Sequence, residues 1–425
     1  MLWLFVVMFI LFVINVPIAW SMAIAASVYM AFGPHVPLQG MVQRMIGGID
    51  TFPLLAIPFF ILAGNLMNTG GITDRLVRLA KAMVGHITGG LAHVVVVTNM
   101  IMAGMSGSAV ADATGTGTIL IPAMERAGYP KNFSAALVGA ASTIGPVIPP
   151  SIPFVIYGGI TGVSVGRLFL GGVVPGVLMG LFLMGAVYLV AKRRGYRAEG
   201  WPRLPDALSS IWRAIPVMLF PFIILGGIFS GVVTPTEAAV VAVVYAVFLA
   251  TLFYRELSPH ELVQVLTAVA GNTAKITFII ASASLYGWLL AREGATQRLA
   301  DLFLTVSREP WAILLMLNLL LLVLGCLMET TALLVILTPI FMDLITKVGI
   351  DPVHFGVVFT LNLMIGLLTP PVGMTLYVMV GLTNISVTDF TRECAVFMLA
   401  LVVVLGLITY IPGLVIFLPQ LIMGK

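Results

Sequence analysis

Charged residues are scarce in this sequence. Of its 425 residues only 9% are Asp, Glu, Lys or Arg, whereas a soluble domain carries about 25%. So few charges cannot cover the surface of a water-soluble protein of this size, and 60% of the residues are hydrophobic. We therefore expect most of the outer surface to face lipid.

The sequence also lacks the features of several other protein classes. Its apolar runs are long and continuous, unlike the roughly ten-residue alternating segments of a membrane β-barrel. The net charge of +4 comes from basic residues at the ends of apolar runs, which set orientation and do not indicate nucleic-acid binding. Its two cysteines, Cys326 and Cys394, lie far apart in apolar surroundings, as is typical of packing and not of a disulfide or metal site. What remains is an all-α polytopic membrane protein with about ten spans.

The chain begins with a long apolar run directly after Met1. Because no basic segment or small-residue cleavage site accompanies it, we predict a transmembrane helix and not a removable signal peptide. The segment 192–213 is the only polar stretch of any length and predicts a cytoplasmic linker. Its basic residues are Lys192, Arg193, Arg194, Arg197, Arg203 and Arg213. The amphipathic segments 72–84 and 258–266, the second with Ser258 as helix cap, are predicted to lie along the membrane interface.

The two halves of the chain carry the same landmarks in the same order. The segment TIGPVIPPS (143–151) matches MIGLLTPPV (364–372) at an offset of 221 residues. Upstream, LAGNLMNTGGITDRL (62–76) matches LYGWLLAREGATQRL (285–299) at an offset of 223 residues. Several Gly, Pro and Arg matches in register indicate an internal duplication.

The duplication predicts two repeats, at 1–191 and 214–425, on either side of the linker. Each repeat would contain scaffold helices and one helix broken by a Pro-Pro pair, at 132–162 in the first and at 352–383 in the second. Paired broken helices in inverted repeats are typical of secondary transporters.

A re-entrant hairpin is predicted ahead of each broken helix, near 106–128 and 327–348. Each stretch is too short for two crossings at about 20 residues per crossing. The first half then crosses the membrane five times, at 2–32, 52–69, 88–105, 132–162 and 168–191. Because this number is odd, the second copy enters from the opposite side and the repeats are inverted.

The Pro-Pro breaks carry the functional prediction. A break halfway across the bilayer frees backbone groups that lipid cannot satisfy, and freed carbonyls suit a hard cation such as Na⁺. We predict two Na⁺ sites, each where a hairpin tip meets a break. The first would use carbonyls near Gly145, Ile148 and Pro150 with the hydroxyls of Ser106 and Ser108.

The second Na⁺ site would use backbone carbonyls near Gly325, Gly366, Thr369 and Pro371. Its side-chain ligands stay open, because the second hairpin has no serine at the positions equivalent to those of the first. For the small residues taken alone, close packing of helices is the alternative explanation.

Five charged residues lie within apolar runs, where charges are costly and usually functional. They are Asp112, Glu237, Lys275, Arg292 and Glu329. Arg292 lies near the end of its run, so it either snorkels to the interface or grips an anionic substrate through its guanidinium group. Glu329 is placed at a hairpin tip, where it can contact a substrate hydroxyl or amine. We expect Asp112 and Glu237 to cap or pair with helix ends.

An enzyme is a remote alternative. The segment GMSG (104–107) fits the G-x-S-G pattern of intramembrane serine proteases, with Ser106 as nucleophile and His93 as base. Four small residues recur by chance in membrane proteins, and a protease leaves the duplicated Pro-Pro breaks unexplained. We therefore expect no enzymatic activity.

Four segments together give the chain a family resemblance. They are GMSGSAVADATGTGT (104–118), STIGPVIPPSI (142–152), GVVTPTEAAVVAV (231–243) and GLLTPPVGM (366–374). With them the chain resembles, over essentially its whole length, the large membrane (permease) subunit of tripartite ATP-independent periplasmic (TRAP) transporters.

The resemblance implies a function and partners. Such subunits resemble elevator transporters of the ion-transporter superfamily and reside in the bacterial inner membrane. They take up small organic acid anions on a Na⁺ gradient, without ATP, together with a small four-helix membrane subunit and a periplasmic substrate-binding protein. Because the chain starts at its own first helix, we expect the small subunit to be separate. The alternative is a stand-alone anion/Na⁺ symporter of the same superfamily.

The resemblance also implies site residues. The Na⁺ sites of such subunits lie at hairpin tips and helix breaks, which agrees with the two sets above. Substrate contacts would fall on Ser108, Ser151, Arg292 and Glu329.

Overall fold

The computed structural model describes residues 2–32, 39–68, 71–196, 198, 200–201 and 204–424, and within these ranges it is helical and contains no β-strand. The first half contains α1 (Leu2–Val13), α2 (Ile18–Phe32), α3 (Gln39–Ile49), α4 (Ala56–Asn68), α5 (Ile72–Val84), α6 (Gly90–Ser106), α7 (Ala109–Arg126), α8 (Lys131–Ser142), α9 (Ile152–Thr161) and α10 (Val165–Arg194). The second half contains α11 (Leu204–Phe229), α12 (Pro235–Val247), α13 (Pro259–Arg292), α14 (Ala295–Val306), α15 (Pro310–Gly325), α16 (Thr330–Lys347), α17 (Pro352–Gly366), α18 (Met374–Thr383), α19 (Val387–Tyr410) and α20 (Gly413–Met423). A 3₁₀ turn (Phe52–Leu55) leads into α4, and a π-helical turn (Phe248–Phe253) extends α12.

Local capping chemistry sets several helix ends. Helix α13 begins with a capping box, in which the Ser258 hydroxyl accepts from the Glu261 N–H and the Glu261 carboxylate accepts from the Ser258 N–H. Helix α12 begins in the same way with Thr234 and Glu237. Both helices carry proline at the first helical position, where no N–H is needed. The predicted Ser258 cap is thus present, and Glu237 caps a helix end as expected.

Two central helices are buried after their first one or two residues and end in the predicted breaks. In α8 every residue from Phe133 to Ser142 is buried, and in α17 every residue from Val353 to Gly366 is buried. The chain leaves helical geometry at 143–151 and at 367–373 before it continues as α9 and α18. Each break contains a cis Pro-Pro bond, Pro149–Pro150 and Pro370–Pro371.

The hairpins differ from the prediction. Residues 109–126 and 330–347 each form one continuous helix, so the stretches 106–128 and 327–348 are not hairpins in themselves. Helix α6 pairs with α7, and α15 pairs with α16, which makes each pair a hairpin with its tip before the second helix. In the first hairpin the chain leaves helical geometry at one place only, between α6 and α7. This break consists of Gly107, which has a φ of +59°, and Ser108, which caps α7.

Other boundaries also move. The predicted helix 2–32 divides at Asn15, which has a φ of +66°, and at Pro17. The predicted linker 192–213 shrinks because α10 extends through Arg194 and α11 already begins at Leu204; Arg197 and Arg203 lie outside the described residues.

Two apolar segments in the second half are also divided differently. The stretch 258–266 is not a separate interface helix but the first part of the 34-residue α13. The final run 395–422 contains two helices, α19 and α20. By contrast, the predicted amphipathic segment 72–84 is α5 itself, with the same bounds.

Six described helices are long and apolar enough to cross a membrane, or up to eight if two bent pairs each count as one span. The chain length predicts about ten spans. Fewer helices are long enough to qualify because the hairpin arms and the broken helices are short. The two halves interlock, since α7 packs against α18 and α16 packs against α9.

Candidate functional site

A cavity of about 610 Å³ collects both hairpin tips and both breaks. The α6–α7 tip contributes residues 106–111 and the α15–α16 tip contributes 329–331. Asn65 of α4 and both Asn272 and Lys275 of α13 line the cavity from the side. The breaks and the helices that follow them supply Pro146, Ile152, Pro153, Leu367 and Met374. The pieces that the sequence predicted to meet are therefore adjacent in space.

The first hairpin tip touches the first break through its backbone. Gly107 adopts a left-handed conformation, and a Cβ added there would lie only 2.7 Å from the carbonyl oxygen of Pro150. On the other side of the tip, a Cβ on Gly64 would lie 3.0 Å from the Cα of Ser106. The tip is thus fixed between α4 and the break. Gly107 combines a left-handed conformation with this close contact, so any other residue would be strained there, and Gly64 leaves little room for a side chain.

A buried carboxylate completes this region. Asp112 of α7 is 0% exposed, and its Oδ1 accepts a hydrogen bond from the Ser106 hydroxyl. Its Oδ2 has no hydrogen-bond partner among the described residues and lies against Gly145, where an added Cβ would be 2.3 Å away. A charged oxygen left unpaired in the protein interior is costly. A bound cation, or a proton on the carboxyl group, would remove this cost.

These residues fit the first predicted Na⁺ site. Asp112 offers a negative oxygen, Ser106 a hydroxyl, and the break offers carbonyls around Gly145 and Pro150. Ile148 anchors the break, because its side chain packs against Gly176 of α10 and its N–H donates to Ile144. The sequence predicts that Asp112 caps or pairs with a helix end, and it does accept a hydrogen bond from Ser106 at the end of α6; the sequence does not assign it to the Na⁺ site. The available signal for its role was a carboxylate within an apolar run.

The second tip and break also touch, with a different set of side chains. A Cβ on Gly366 would lie 2.7 Å from the carbonyl oxygen of Gly325, so the two backbones are in contact. The Val372 N–H donates to the Cys326 carbonyl at 2.9 Å, and the Thr369 hydroxyl donates to the Gly366 carbonyl at 2.8 Å.

The second site has no counterpart of the buried aspartate. The position equivalent to Asp112 at the 221-residue offset is Leu333, which is also buried. Pro371 and its neighbour Pro370 are exposed, whereas Pro149 and Pro150 are buried. Oxygen ligands at the second site would therefore come from the backbone and from the Thr369 hydroxyl.

Ser108 and Glu329 occupy equivalent places 221 residues apart, and both line the cavity. Each caps the second helix of its hairpin: the Ser108 hydroxyl accepts from the Ala111 N–H at 3.4 Å, and Glu329 Oε2 accepts from the Ala332 N–H at 3.0 Å. Their free acceptor capacity faces the cavity. Both are thus placed to contact a substrate.

Ser151 and Arg292 are not brought to the cavity wall. Ser151 is fully buried, where it caps α9 through the Phe154 N–H and donates to the Pro146 carbonyl. Arg292 is exposed at the end of α13, with its guanidinium 5.6 Å from the Trp288 ring centroid. It lies 17 residues beyond Lys275, or about 25 Å along the helix.

Lys275 is the cation that lines the cavity. The sequence identified it as a charge in an apolar run but gave it no role. The packing of the whole chain determines which face of a long helix lines a cavity. The residues next to Lys275 in the sequence therefore do not indicate that it lines this one.

The protease alternative does not fit the geometry. Ser106 and His93 both lie on α6, 13 residues apart, which separates them by about 20 Å along the helix. The Ser106 hydroxyl donates to Asp112 and not to a histidine. His93 therefore cannot act as its base.

Helical hairpins and broken helices around a polar cavity within apolar helices define a membrane transport protein. Residues 5–414 match the family described as tripartite ATP-independent periplasmic transporter, DctM component, and the chain belongs to this family. The resemblance seen in the sequence is thereby confirmed.

Several relatives align along nearly the whole chain. It is 43% identical over 410 residues to the sialic acid TRAP transporter large permease protein SiaM of Vibrio cholerae, covering 96% of each chain. It is 39% identical to the 2,3-diketo-L-gulonate TRAP transporter large permease protein YiaN of Escherichia coli, covering 95% of each. It is 41% identical to the C4-dicarboxylate TRAP transporter large permease protein DctM of Pseudomonas aeruginosa, covering 92% of this chain and 91% of that one.

Solved structures share the fold. The crystal structure of the YdaH transporter of Alcanivorax borkumensis superimposes with a TM-score of 0.66 at 13% identity, covering 93% of this chain and 96% of that chain. The relatives are transporter permeases, so the expectation that the protein is not an enzyme is confirmed.

Proposed function

We propose that this chain is the membrane carrier for Na⁺-driven uptake of a small organic acid anion. The observation that carries the proposal is the cavity bounded by both hairpin tips and both breaks, with Lys275 in its wall and Asp112 buried behind one tip. A cationic side chain among polar groups suits an anion. Three of the relatives are named for sialic acid, 2,3-diketo-L-gulonate and C4-dicarboxylates, all of which are organic acids.

Two Na⁺ ions would be held beside the substrate. Asp112, Ser106 and the carbonyl of Pro150 would hold the first, and the Gly366 and Thr369 carbonyls with their neighbours would hold the second. When bound, Na⁺ supplies positive charge that offsets the carboxylate and the anion. Ser108 and Glu329 would orient the substrate between the two tips; Ser151 would act by fixing the first break.

Inverted repeats are supported by where the connections lie. The loop after α7 is on the same side as the end of α10, since the Tyr129 and Tyr196 ring centroids are 4.4 Å apart. Helix α13 begins on this side too, because the Tyr254 hydroxyl donates to the Arg213 carbonyl at the start of α11.

The matching loop in the second half lies at the other side. Helix α13 has 34 residues, so it extends about 50 Å and carries the chain across. Beyond its far end, Asp301 of α14 pairs with Lys347 at the end of α16 at 3.2 Å. This placement of the loops after α7 and α16 supports the proposal of two inverted copies.

We further propose an elevator mechanism in the bacterial inner membrane. The interlocked hairpins and broken helices would move together as the transport domain, and the remaining helices would form the scaffold. The partners would be a small four-helix membrane subunit and a periplasmic substrate-binding protein, as the family description suggests. A stand-alone symporter is the second candidate, because the fold is shared with transporters of low sequence identity.

Proteoliposome uptake tests the proposal. The chain is reconstituted with its small subunit, a panel of radiolabelled organic acids is offered with the binding protein, and external Na⁺ is compared with K⁺ and choline. We expect uptake only with an inward Na⁺ gradient and the binding protein. Equal uptake in K⁺ would refute Na⁺ coupling. Uptake by the chain alone would favour the stand-alone symporter.

A further inference from the structure

A second, apolar cavity of about 250 Å³ lies away from the transport site, beside the second hairpin. One face of α16 forms its long wall, through Leu333, Ile336, Leu337, Ile340, Phe341 and Leu344. Helices α1, α13, α14 and α15 form the other walls. A dry cavity of about 150 Å³ lined by such side chains already binds small apolar molecules. This larger one therefore has room for an apolar ligand.

The cavity is elongated along α16. Its wall runs from Leu333 to Leu344, a distance of about 16 Å along the helix. The hydrocarbon part of one leaflet is about 15 Å deep, half of the bilayer core of about 30 Å. Leu344 lies near the end of α16, where Lys347 pairs with Asp301 of α14. The cavity thus spans the depth that an acyl chain of one leaflet occupies.

The cavity can be reached from the bilayer. Phe5 and Met8 of α1 and Phe303 of α14 line it and are half-buried, which places them at its rim. Just outside, Phe9 is 64% and Leu302 is 61% exposed. An apolar rim that continues into an apolar outer surface admits lipid chains and not water.

One polar group in this wall has no partner. Tyr286 of α13 is only 1% exposed, and its hydroxyl is buried without a hydrogen bond to any described residue. Tyr286 precedes Arg292, the last residue of α13, by six residues, so it lies about 9 Å below the helix end. The hydroxyl does not open onto the cavity, so the surface that the cavity offers to a ligand is almost wholly apolar.

We propose that this cavity binds one acyl chain of a membrane phospholipid. The chain fills the space between α16 of the second hairpin and helices α1, α13 and α14. The site is separate from the transport cavity and does not depend on the substrate or the coupling ion.

Native mass spectrometry of the full chain, released from phosphatidylethanolamine nanodiscs, tests the proposal. We expect one phospholipid to stay bound at collision energies that strip the others. Ala300→Trp on the cavity-facing side of α14 should lose it, whereas the matched control Leu302→Trp on the exposed side of α14 should retain it. Equal retention by both variants, or no retained lipid in the wild type, would overturn the proposal. Retention of added palmitic acid but no phospholipid would overturn the assignment to a phospholipid.

A milder pair of variants covers the case in which Ala300→Trp fails to fold. Added phosphatidylethanolamine should raise the Tm of the wild type and leave the Tm of Ala300→Leu unchanged, because the leucine fills the cavity. A similar rise in both would contradict the proposal.

Discussion

At the scale of single residues, the two halves have diverged at the place where chemistry is expected. Asp112 and Ser106 form a hydrogen-bonded pair in the first hairpin. Leu333 and Leu327 stand at the corresponding positions of the second. A carboxylate can offset the charge of one bound cation, whereas backbone carbonyl groups cannot because they carry no net charge. The two Na⁺ sites should therefore differ in affinity, with the first the stronger.

Asp112→Asn tests the first site. The change keeps the shape of the side chain but removes its charge, so we expect the Na⁺ concentration for half-maximal uptake to rise about 10- to 100-fold, the equivalent of a lost charged interaction of about 1.5–3 kcal/mol. Glu125→Gln on the exposed end of the same helix is the control and should leave Na⁺ dependence unchanged. An unaltered Na⁺ dependence in Asp112→Asn would remove this carboxylate from the site.

Lys275 and Arg292 can be compared directly, since both lie on α13. Lys275→Gln should raise the apparent KM for the organic acid about tenfold, because it removes the positive charge from the cavity wall. Lys275→Arg keeps the charge and should restore most of the affinity. Arg292→Gln, beyond the cavity, should have a smaller effect on KM in the same uptake assay. The reverse order would return the anion contact to Arg292.

At the scale of elements, the contact between the second hairpin and its break is a contact of backbones. Gly366→Ala places a Cβ 2.7 Å from the carbonyl carbon and oxygen of Gly325, and overpacking of this kind costs about 1–3 kcal/mol. We expect a lower Tm of the purified chain and reduced uptake. Gly381→Ala in α18 meets open space and is the matched control. If both variants unfold at the same Tm, the close contact does not hold the hairpin in place.

The elements that could be predicted are those whose ends are specified by residues close to them in the sequence. The capping box of Ser258 and Glu261, the amphipathic period of 72–84 and the Pro-Pro pairs each act within a few residues of the helix end that they specify. Segments joined by short apolar connections could not be divided correctly. The break at Asn15 lies between two apolar runs, so hydrophobicity alone continues through it.

The hairpins show why span counting from hydrophobicity fails locally. A 17-residue arm such as α6 is as apolar as a transmembrane helix, and only its partner α7 reveals that the chain turns back. Two differences from the prediction then compensate: α6 forms a hairpin with α7, and residues 2–32 supply two helices where one is predicted. If α1 and α2 each cross, the count for the first half stays odd.

The site was predictable in its backbone and less so in its side chains. The sequence predicts that the first hairpin tip meets the Pro149–Pro150 break, because a break must be satisfied by protein or an ion, and Gly107 at the tip does contact Pro150. Lys275 depends on how α13 is rotated against the hairpins, and that rotation is set by contacts far apart in sequence. Whether Ser106 and Thr369 bind Na⁺ stays a prediction.

At the scale of the whole molecule, the interlocking of the halves suggests which parts move together. Helix α7 of the first half packs against α18 of the second, and α16 packs against α9. Because each hairpin is held by the other half's broken helix, the four pieces cannot shift independently without losing these contacts. This arrangement supports the proposal that the four pieces form a rigid transport domain that carries the cavity across the bilayer, with α13 at its border.

Cysteine labelling tests the inverted arrangement on which that domain depends. In a background with Cys326→Ala and Cys394→Ala, the exposed positions of Ala127→Cys and Thr346→Cys report on the loops after α7 and α16. A membrane-impermeant maleimide added to intact cells should label Thr346→Cys, and Ala127→Cys should react only after the membrane is opened.

Lys192→Cys, at the end of α10, serves as the reference for this labelling. It should behave like Ala127→Cys, because both positions lie on the side of the basic linker, which positive charge keeps in the cytoplasm. If Ala127→Cys and Thr346→Cys react from the same side, the halves are parallel. The two breaks could then not be related by a two-fold axis in the membrane plane, and the proposed Na⁺ coupling would lose its structural basis.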